Sequence, residues 1–257
     1  MYKPSFRLDG KTAIITGAGR GIGRALAIGL SEAGAEVALF SRTVSDLEET
    51  SRLIHENGGR AHYFPVDVTD RRQVTENINH VKEKLGKIDI LVNNAGMNIR
   101  SKAADVTDEE WNVIMDTNLK SAFMLSQEAG KIMKDQPSGG SILSVSSVAG
   151  QTALRTGVVY GASKAALIQM TKVLAYEWGQ NNIRVNSIGP WYFETPLTET
   201  MLANEDYLND ILAVTPLRRV GQLKELVGPA IFLVSDAGSY VTGQTLFVDG
   251  GMTINGF

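Results

Sequence analysis

Apolar positions along the chain follow two alternating periods. Short β-rich runs recur at TAIIT (12–16), EVALF (36–40), AHYFPV (61–66), IDILV (88–92), SILSVS (141–146), IRVNSI (183–188) and TLFVD (245–249). Their near-continuous apolar character suits strands covered on both faces. Between them the period lengthens. In 21–33, Ile22, Leu26 and Leu30 recur at every fourth position, and Gly34 supplies a stop. Helices are likewise expected over 45–56, over 70–85 with caps from Asp67 to Asp70, over 108–133 and over 155–178. Alternation of strand and helix implies a parallel sheet with helices on both faces. Right-handed crossovers then give a doubly wound α/β fold with a seven-stranded parallel sheet. No repeat, low-complexity stretch or linker divides the sequence, so residues 1–257 read as a single domain. Region 191–220 has no clear strand and interrupts the alternation. It is expected to form a small substrate lid over the sheet's carboxyl edge, where ligands bind in such folds.

Bulk properties narrow the classes of function. A chain of 257 residues can bury a full core. A net charge of −3 and a pI of about 5.7 argue against nucleic acid or an anionic membrane as partner. The lack of cysteine excludes disulfides, thiol nucleophiles and thiolate metal sites. His55, His62 and His80 are scattered among polar neighbours, so no metal site is expected. The polar start has no signal-peptide pattern, and no window approaches a membrane span. The expectation is a soluble, cytoplasmic protein that acts on a small molecule.

Candidate chemistry begins with TGAGRGIG (16–23), directly after the first strand and at the start of a helix. Gly17, Gly21 and Gly23, spaced T-G-x-x-x-G-x-G, let backbone approach a diphosphate, and the helix N-terminus favours the anion. The other reading is a tight turn without ligand. The second strand ends in Ser41-Arg42, with no carboxylate to take a ribose hydroxyl. Arg42 and Arg20 suit a 2′-phosphate, which favours NADP(H) over NAD(H) unless both arginines only face water. After the third strand comes Asp67-Val68, where Asp67 either accepts from an adenine amino group or caps a turn. Asn93-Asn94-Ala95-Gly96 follows the fourth strand, either holding backbone and cofactor together or forming an ordinary turn. In VVYGASKAAL, Tyr160 and Lys164 stand one helical turn apart on a shared face. A cation beside a phenol lowers its pKa, although this spacing is also common helix decoration.

Taken in order, these motifs resemble the short-chain dehydrogenase/reductase family over roughly residues 8–251. TGAGRGIG is similar to its coenzyme loop and NNAG (93–96) to its mid-sheet motif. Asn118 in MDTNLKSAF resembles its helix asparagine. Ser147 in SVSSVAG resembles the serine thirteen residues before the tyrosine, and YGASK (160–164) its Y-x-x-x-K. The resemblance implies a single-domain doubly wound (Rossmann) fold and an oxidoreductase acting on CH–OH groups. It implies Asn118, Ser147, Tyr160 and Lys164 as the catalytic set. Tyr160 would move the proton and Ser147 would bond the substrate oxygen. Lys164 would bind ribose hydroxyls and lower the phenol pKa, and Asn118 would hold a water in a proton relay. Cofactor contacts implied are Gly17, Arg20, Gly21, Ile22, Gly23, Ser41, Arg42, Asp67, Val68, Asn94, Ala95, Gly96, Tyr160, Lys164, Pro190, Phe193 and Thr195, the last against the nicotinamide carboxamide.

One departure stands out. Where the family commonly has Pro-Gly after the sixth strand, this sequence has Pro190-Trp191. Tryptophan avoids positive φ. The indole either faces the nicotinamide or substrate, or packs under the lid. NAGMNIR and VTGQTLFVDGG resemble sugar-acid dehydrogenases of the gluconate 5-dehydrogenase type, and also 3-oxoacyl carrier-protein reductases. Arg100 and Arg155 lie near the expected pocket mouth, either to meet a carboxylate or phosphate or as plain surface residues. The expected reaction is hydride transfer between NADP(H) and a secondary alcohol or ketone, with a sugar acid such as gluconate/5-ketogluconate favoured. A 3-oxoacyl-ACP reductase is the alternative. A non-catalytic NADP(H)-binding sensor and an epimerase or dehydratase are rivals of other classes. The resemblance also implies a homotetramer, with helices 108–133 and 155–178 paired at one interface and the last strand at another. Met124, Leu125, Ile168 and Met170 serve either that contact or the subunit's own core.

Overall fold

All seven expected strands pair in one sheet. In the computed structural model, which describes residues 2–155, 157–196 and 198–254, they are β1 (Thr12–Thr16), β2 (Glu36–Ser41), β3 (Arg60–Pro65), β4 (Ile90–Asn93), β5 (Gly140–Val145), β6 (Ile183–Pro190) and β7 (Thr245–Val248). Every pairing is parallel, in the order β3-β2-β1-β4-β5-β6-β7. Strand order reverses between β1 and β4. The chain leaves those two strands in opposite directions and opens a crevice at their carboxyl ends.

Helices α1 (Gly21–Glu32) and α2 (Val44–Glu56) follow β1 and β2, and α3 (Arg71–Leu85) follows β3. Asp70 caps α3 by accepting from the Arg72 and Gln73 amides, which satisfies two of the helix's free donors. The helix expected over 108–133 is interrupted. It runs as α4 (Asp108–Met115), a π turn over Asp116–Lys120, and α5 (Ser121–Lys134). Such one-turn expansions concentrate at functional sites, and this one carries Asn118. Helix α6 spans Val158–Trp178, so it starts three residues later than expected, with Gly157 as its N-cap. Thr156, within the expected span of that helix, and Leu197, within the expected lid, lie outside the described residues. The region expected to form the lid, 191–220, holds α7 (Glu199–Leu202) and α8 (Glu205–Val214). Helix α9 (Lys224–Val234) lies beyond it and was not expected, because Pro229 interrupts its apolar pattern of Leu226, Ala230, Leu233 and Val234.

The two faces of the sheet bury separate cores. On one, Leu26 and Leu30 of α1 and Leu226 and Leu233 of α9 pack on Ile15, Leu39, Val92 and Leu143. On the other, Val74 and Ile78 of α3, Met124, Leu125 and Met133 of α5, and Leu174 and Trp178 of α6 cover Ile14, Phe40, Leu91 and Ile142. Met124 and Leu125 thus belong to the subunit's own core, and Met170 packs partly against it. No helix among the described residues is long and apolar enough to cross a membrane.

Candidate active site

The crevice is closed by backbone and by one buried hydroxyl. At the end of β1 the Thr16 Oγ1 accepts from the Asn94 and Ala95 amides, each at 3.0 Å, and donates to the Val92 carbonyl at 3.3 Å. Asn94 Nδ2 returns a bond to the Thr16 carbonyl at 2.9 Å. The ends of β1 and β4 are thereby tied together. Gly17 adopts φ +63°, and a Cβ there would sit 2.8 Å from Asn94 Nδ2. A Cβ on Gly23 would lie 2.1 Å from the Gly17 carbonyl oxygen. Only glycine lets the loop fold back onto the first turn of α1. That turn holds no acidic residue and its N-cap, Arg20, makes no side-chain cap bond. Its N–H groups are therefore not taken by a capping side chain, which suits an anion. Ile22 packs on the core behind.

Arg20 and Arg42 are both exposed at this edge, and Ser41 is half-buried at the end of β2. Asp67 Oδ1 accepts from the Thr69 hydroxyl at 2.7 Å and the Thr69 amide at 2.9 Å. Those bonds, with a contribution from the Arg42 charge, hold its carboxyl below the usual range. The α3 cap is Asp70, and Asp67 closes its own short turn. Val68 is buried in the second core.

The four candidate catalytic residues converge beside this crevice from three elements. Lys164, buried in α6, donates from Nζ to the Val145 carbonyl at the end of β5 at 2.8 Å, and its Nζ stands 5.6 Å from the Tyr160 ring centroid. Ser147 follows β5, and its Oγ accepts from the Ala149 amide at 3.1 Å, capping a short turn. Asn118, in the π turn, donates to the Met97 carbonyl at 2.9 Å and to Ser163 Oγ at 3.1 Å, and accepts from the Met97 amide at 2.8 Å. It fastens the loop after β4 to the residue preceding Lys164. A Cβ on Gly96 would sit 3.3 Å from Asn118 Oδ1 and 3.6 Å from Lys164 Nζ.

Burial sets the electrostatics here. It pushes the Lys164 ammonium down from 10.5 to about 8. It pushes the Tyr160 phenol up, with the Ser147 hydrogen bond and the Arg100 charge pulling the other way. The expected lowering of Tyr160 by Lys164 is not what this structure has. Burial outweighs the cation, whose ammonium sits over the ring and bonds a backbone carbonyl rather than the phenol oxygen.

The departure at Trp191 resolves as packing. Its backbone is not in the left-handed region. Its Nε1 donates to Thr215 Oγ1 at 3.0 Å, just past α8, and its ring meets Tyr192 edge-on at 4.6 Å. Pro190 ends β6, Phe193 is buried in the first core, and Thr195 hydrogen-bonds Thr198 at 3.0 Å. Thr195 stands by the glycine loop, 3.8 Å from where a Gly21 Cβ would be. Arg100 contacts the Met201 sulfur of α7, and its charge reaches both Tyr160 and Tyr192. Arg155 is engaged with the lid through Asp210 at 2.8 Å and the Tyr207 ring at 5.5 Å. Tyr192, Tyr207 and Asp210 carried no sequence signal, since their partners lie up to 55 residues away.

No cluster of metal-ligating side chains occurs among the described residues. A cleft of about 320 Å³ also opens at the opposite, amino-terminal edge, lined by Arg7, Ser31, Asn57 and Arg60, and none of the candidate residues borders it.

Comparison with known proteins gives the same picture. Residues 17–253 match a family model described as enoyl-(acyl carrier protein) reductase. A tropinone reductase homolog of Arabidopsis thaliana is 43% identical over 97% of this chain and 95% of its own length. A gluconate 5-dehydrogenase of Gluconobacter oxydans is 38% identical over 97% of each. Among solved structures, a gluconate 5-dehydrogenase from Burkholderia cenocepacia, in complex with NADP and tartrate, superposes with a TM-score of 0.94 at 38% identity, covering 98% of both chains. With the parallel sheet, the glycine loop and the Tyr160–Lys164 pair on one crevice, the match over nearly the whole length places this chain in the short-chain dehydrogenase/reductase family of oxidoreductases.

Proposed function

We propose that this chain uses NADP(H) to interconvert a ketone and a secondary alcohol on an acidic, hydroxylated substrate, a sugar acid of the gluconate/5-ketogluconate kind. The observation that carries the substrate class is the position of Arg100, its Cα 3.8 Å from where a Cβ on Gly157, the N-cap of the helix that carries Tyr160, would be. A carboxylate beside Arg100 would gain a charge-assisted hydrogen bond while a nearby carbonyl meets Tyr160. The gluconate 5-dehydrogenase relatives support the same class.

The residues of the crevice fit a nicotinamide dinucleotide. Gly17 and Gly23 leave room that side chains would fill, and the first turn of α1 offers amide donors to a diphosphate. Arg20 and Arg42 stand where a 2′-phosphate would need cations, and Thr195 lies beside the loop. The coenzyme, when bound, supplies or accepts the hydride. In the reduction Tyr160 donates its phenolic proton to the carbonyl oxygen, and Ser147 steadies the developing charge by a hydrogen bond. The phenol, held up by burial, stays protonated for that task. Lys164 holds a positive charge below about pH 8 and stands over the Tyr160 ring, 5.6 Å from its centroid. Asn118 fixes the loop that carries Gly96 against Lys164.

A second reading follows from the tropinone reductase homologs. A ketone of that type is a protonated amine, and the Arg100 charge opposes it. The family model's description keeps acyl thioesters in view as a third class. The test is NADPH oxidation and NADP⁺ reduction over keto acids, sugar acids, cyclic amino ketones and 3-oxoacyl thioesters. Turnover confined to the keto and sugar acids is expected. Turnover of amino ketones or thioesters alone overturns the substrate assignment.

A homotetramer in the cytoplasm belongs to the same reading. Trp111, Phe123, Val173 and Tyr176 of α4–α6 are exposed apolar residues, and β7 is an uncovered sheet edge flanked by exposed Tyr240 and Ile254. Sedimentation as a tetramer is expected, and a stable monomer contradicts it.

A further inference from the structure

The lid carries a polar aromatic cluster that hydride and proton transfer leave without a task. Tyr192, just past β6, is buried, and its hydroxyl pairs with that of Tyr207 in α8 at 2.5 Å. The two rings stand edge to face with centroids 6.0 Å apart. From the loop before α6, Arg155 reaches over the Tyr207 ring at 5.5 Å and bonds Asp210 of α8 at 2.8 Å. Arg100 meets the start of α6, its Cα 3.8 Å from where a Cβ on Gly157, the α6 N-cap, would be, and its charge acts on both Tyr192 and Tyr160. Arg100 and Arg155 thus both stand at the start of α6, one turn from Tyr160, and Arg155 leads on to Tyr207 and Tyr192.

Packing alone would be served as well by phenylalanine at both positions. Tyr192 is buried and Tyr207 half-buried, and taking a phenolic hydroxyl from water is unfavourable unless it finds a partner. A mutual bond uses one proton of the two, and leaves a second donor and several acceptor lone pairs for other groups. A substrate that is acid at one end and hydroxylated along its length supplies such groups.

We propose that the Tyr192–Tyr207 hydroxyl pair is a specificity-determining wall of the substrate site. It hydrogen-bonds the substrate's hydroxyl groups remote from the reacting carbonyl. Arg155 is a positioning residue that holds Tyr207 in place together with Asp210. The inference rests on the sugar-acid reading above and adds to it the chemistry by which the lid recognises that substrate.

The test compares 5-ketogluconate with 5-oxohexanoate, the six-carbon 5-keto acid that lacks the hydroxyls, with NADPH as coenzyme. The readout is the ratio of the two kcat/KM values, which a general loss of activity does not move. Wild-type enzyme is expected to favour the hydroxylated acid. Tyr192→Phe and Tyr207→Phe should each lower the ratio by about threefold to tenfold, mainly through KM for 5-ketogluconate. Arg155→Gln should lower it less, and Arg155→Lys should restore part of the loss. NADPH binding followed by fluorescence reports folding, and if one tyrosine variant fails to bind, the other carries the test. Ratios unchanged in the tyrosine variants overturn the inference. Equal wild-type turnover of both acids also overturns it, while leaving the oxidoreductase reading in place. Turnover of amino ketones or thioesters with neither acid touched removes the sugar-acid reading first, and the inference with it.

Discussion

The cradle between β1, α1 and β4 closes backbone on backbone, whereas the segment 191–220, proposed as a lid, closes side chain on side chain. In the cradle, Thr16 and Asn94 exchange bonds with main-chain groups, and Gly17 and Gly23 approach each other at distances no side chain permits. In the lid, Trp191 bonds Thr215, Tyr192 bonds Tyr207, and Arg155 bonds Asp210. Backbone closure tolerates little change and serves a ligand common to the whole family. Side-chain closure can be rewritten residue by residue, which suits the substrate-facing role proposed for it.

The contrast can be broken from the cradle side first. Gly23→Ala puts a methyl group 2.1 Å from the Gly17 carbonyl oxygen. It should cost about 3 kcal/mol of stability, at the upper end of overpacking effects, and abolish NADPH binding. Urea unfolding and coenzyme fluorescence check both. Next comes the buried cation. Lys164 falls from 10.5 unfolded to about 8 folded, so between those values the unfolded chain binds more protons and stability rises with pH. Below about 8 the folded chain carries the full cost of the buried charge. Relative to Lys164→Met, the coenzyme-free wild type should gain up to about 3 kcal/mol as pH rises from below 8 toward 10.5. A flat difference in urea midpoints would show that the charge is not confined. Arg42→Ala should weaken NADPH binding about tenfold to a hundredfold, as expected for a lost charged hydrogen bond, with NADH binding little changed. On the other side, Trp191→Phe removes the bond to Thr215 and part of the ring that packs on Tyr192, and should cost about 1–2 kcal/mol. Its kinetic signature should be a raised substrate KM at unchanged NADPH affinity.

The same contrast explains what could be read from the sequence. The strands were legible because burial on both faces makes them continuous apolar runs, as in TAIIT. The glycine loop was legible because its steric demands are met by one residue type. Tyr160 and Lys164 were legible because a helix fixes their separation. The π turn at Asn118 was not, since expanding one helical turn leaves the apolar pattern of 108–133 intact. Helix α9 was hidden by Pro229. The direction of the Tyr160 shift is set by burial in the folded site, which the spacing of two residues on a helix does not report. The place of Trp191 was open because Thr215 is 24 residues distant.

The central claim is that the Tyr160 phenol delivers the proton beside Lys164 and the coenzyme. Single-turnover NADPH oxidation by Tyr160→Phe, with 5-ketogluconate and with coenzyme binding measured on the same sample, tests it most directly. The account predicts that NADPH still binds and the rate falls about a hundredfold to ten-thousandfold. A variant that binds NADPH and retains the wild-type rate would contradict it.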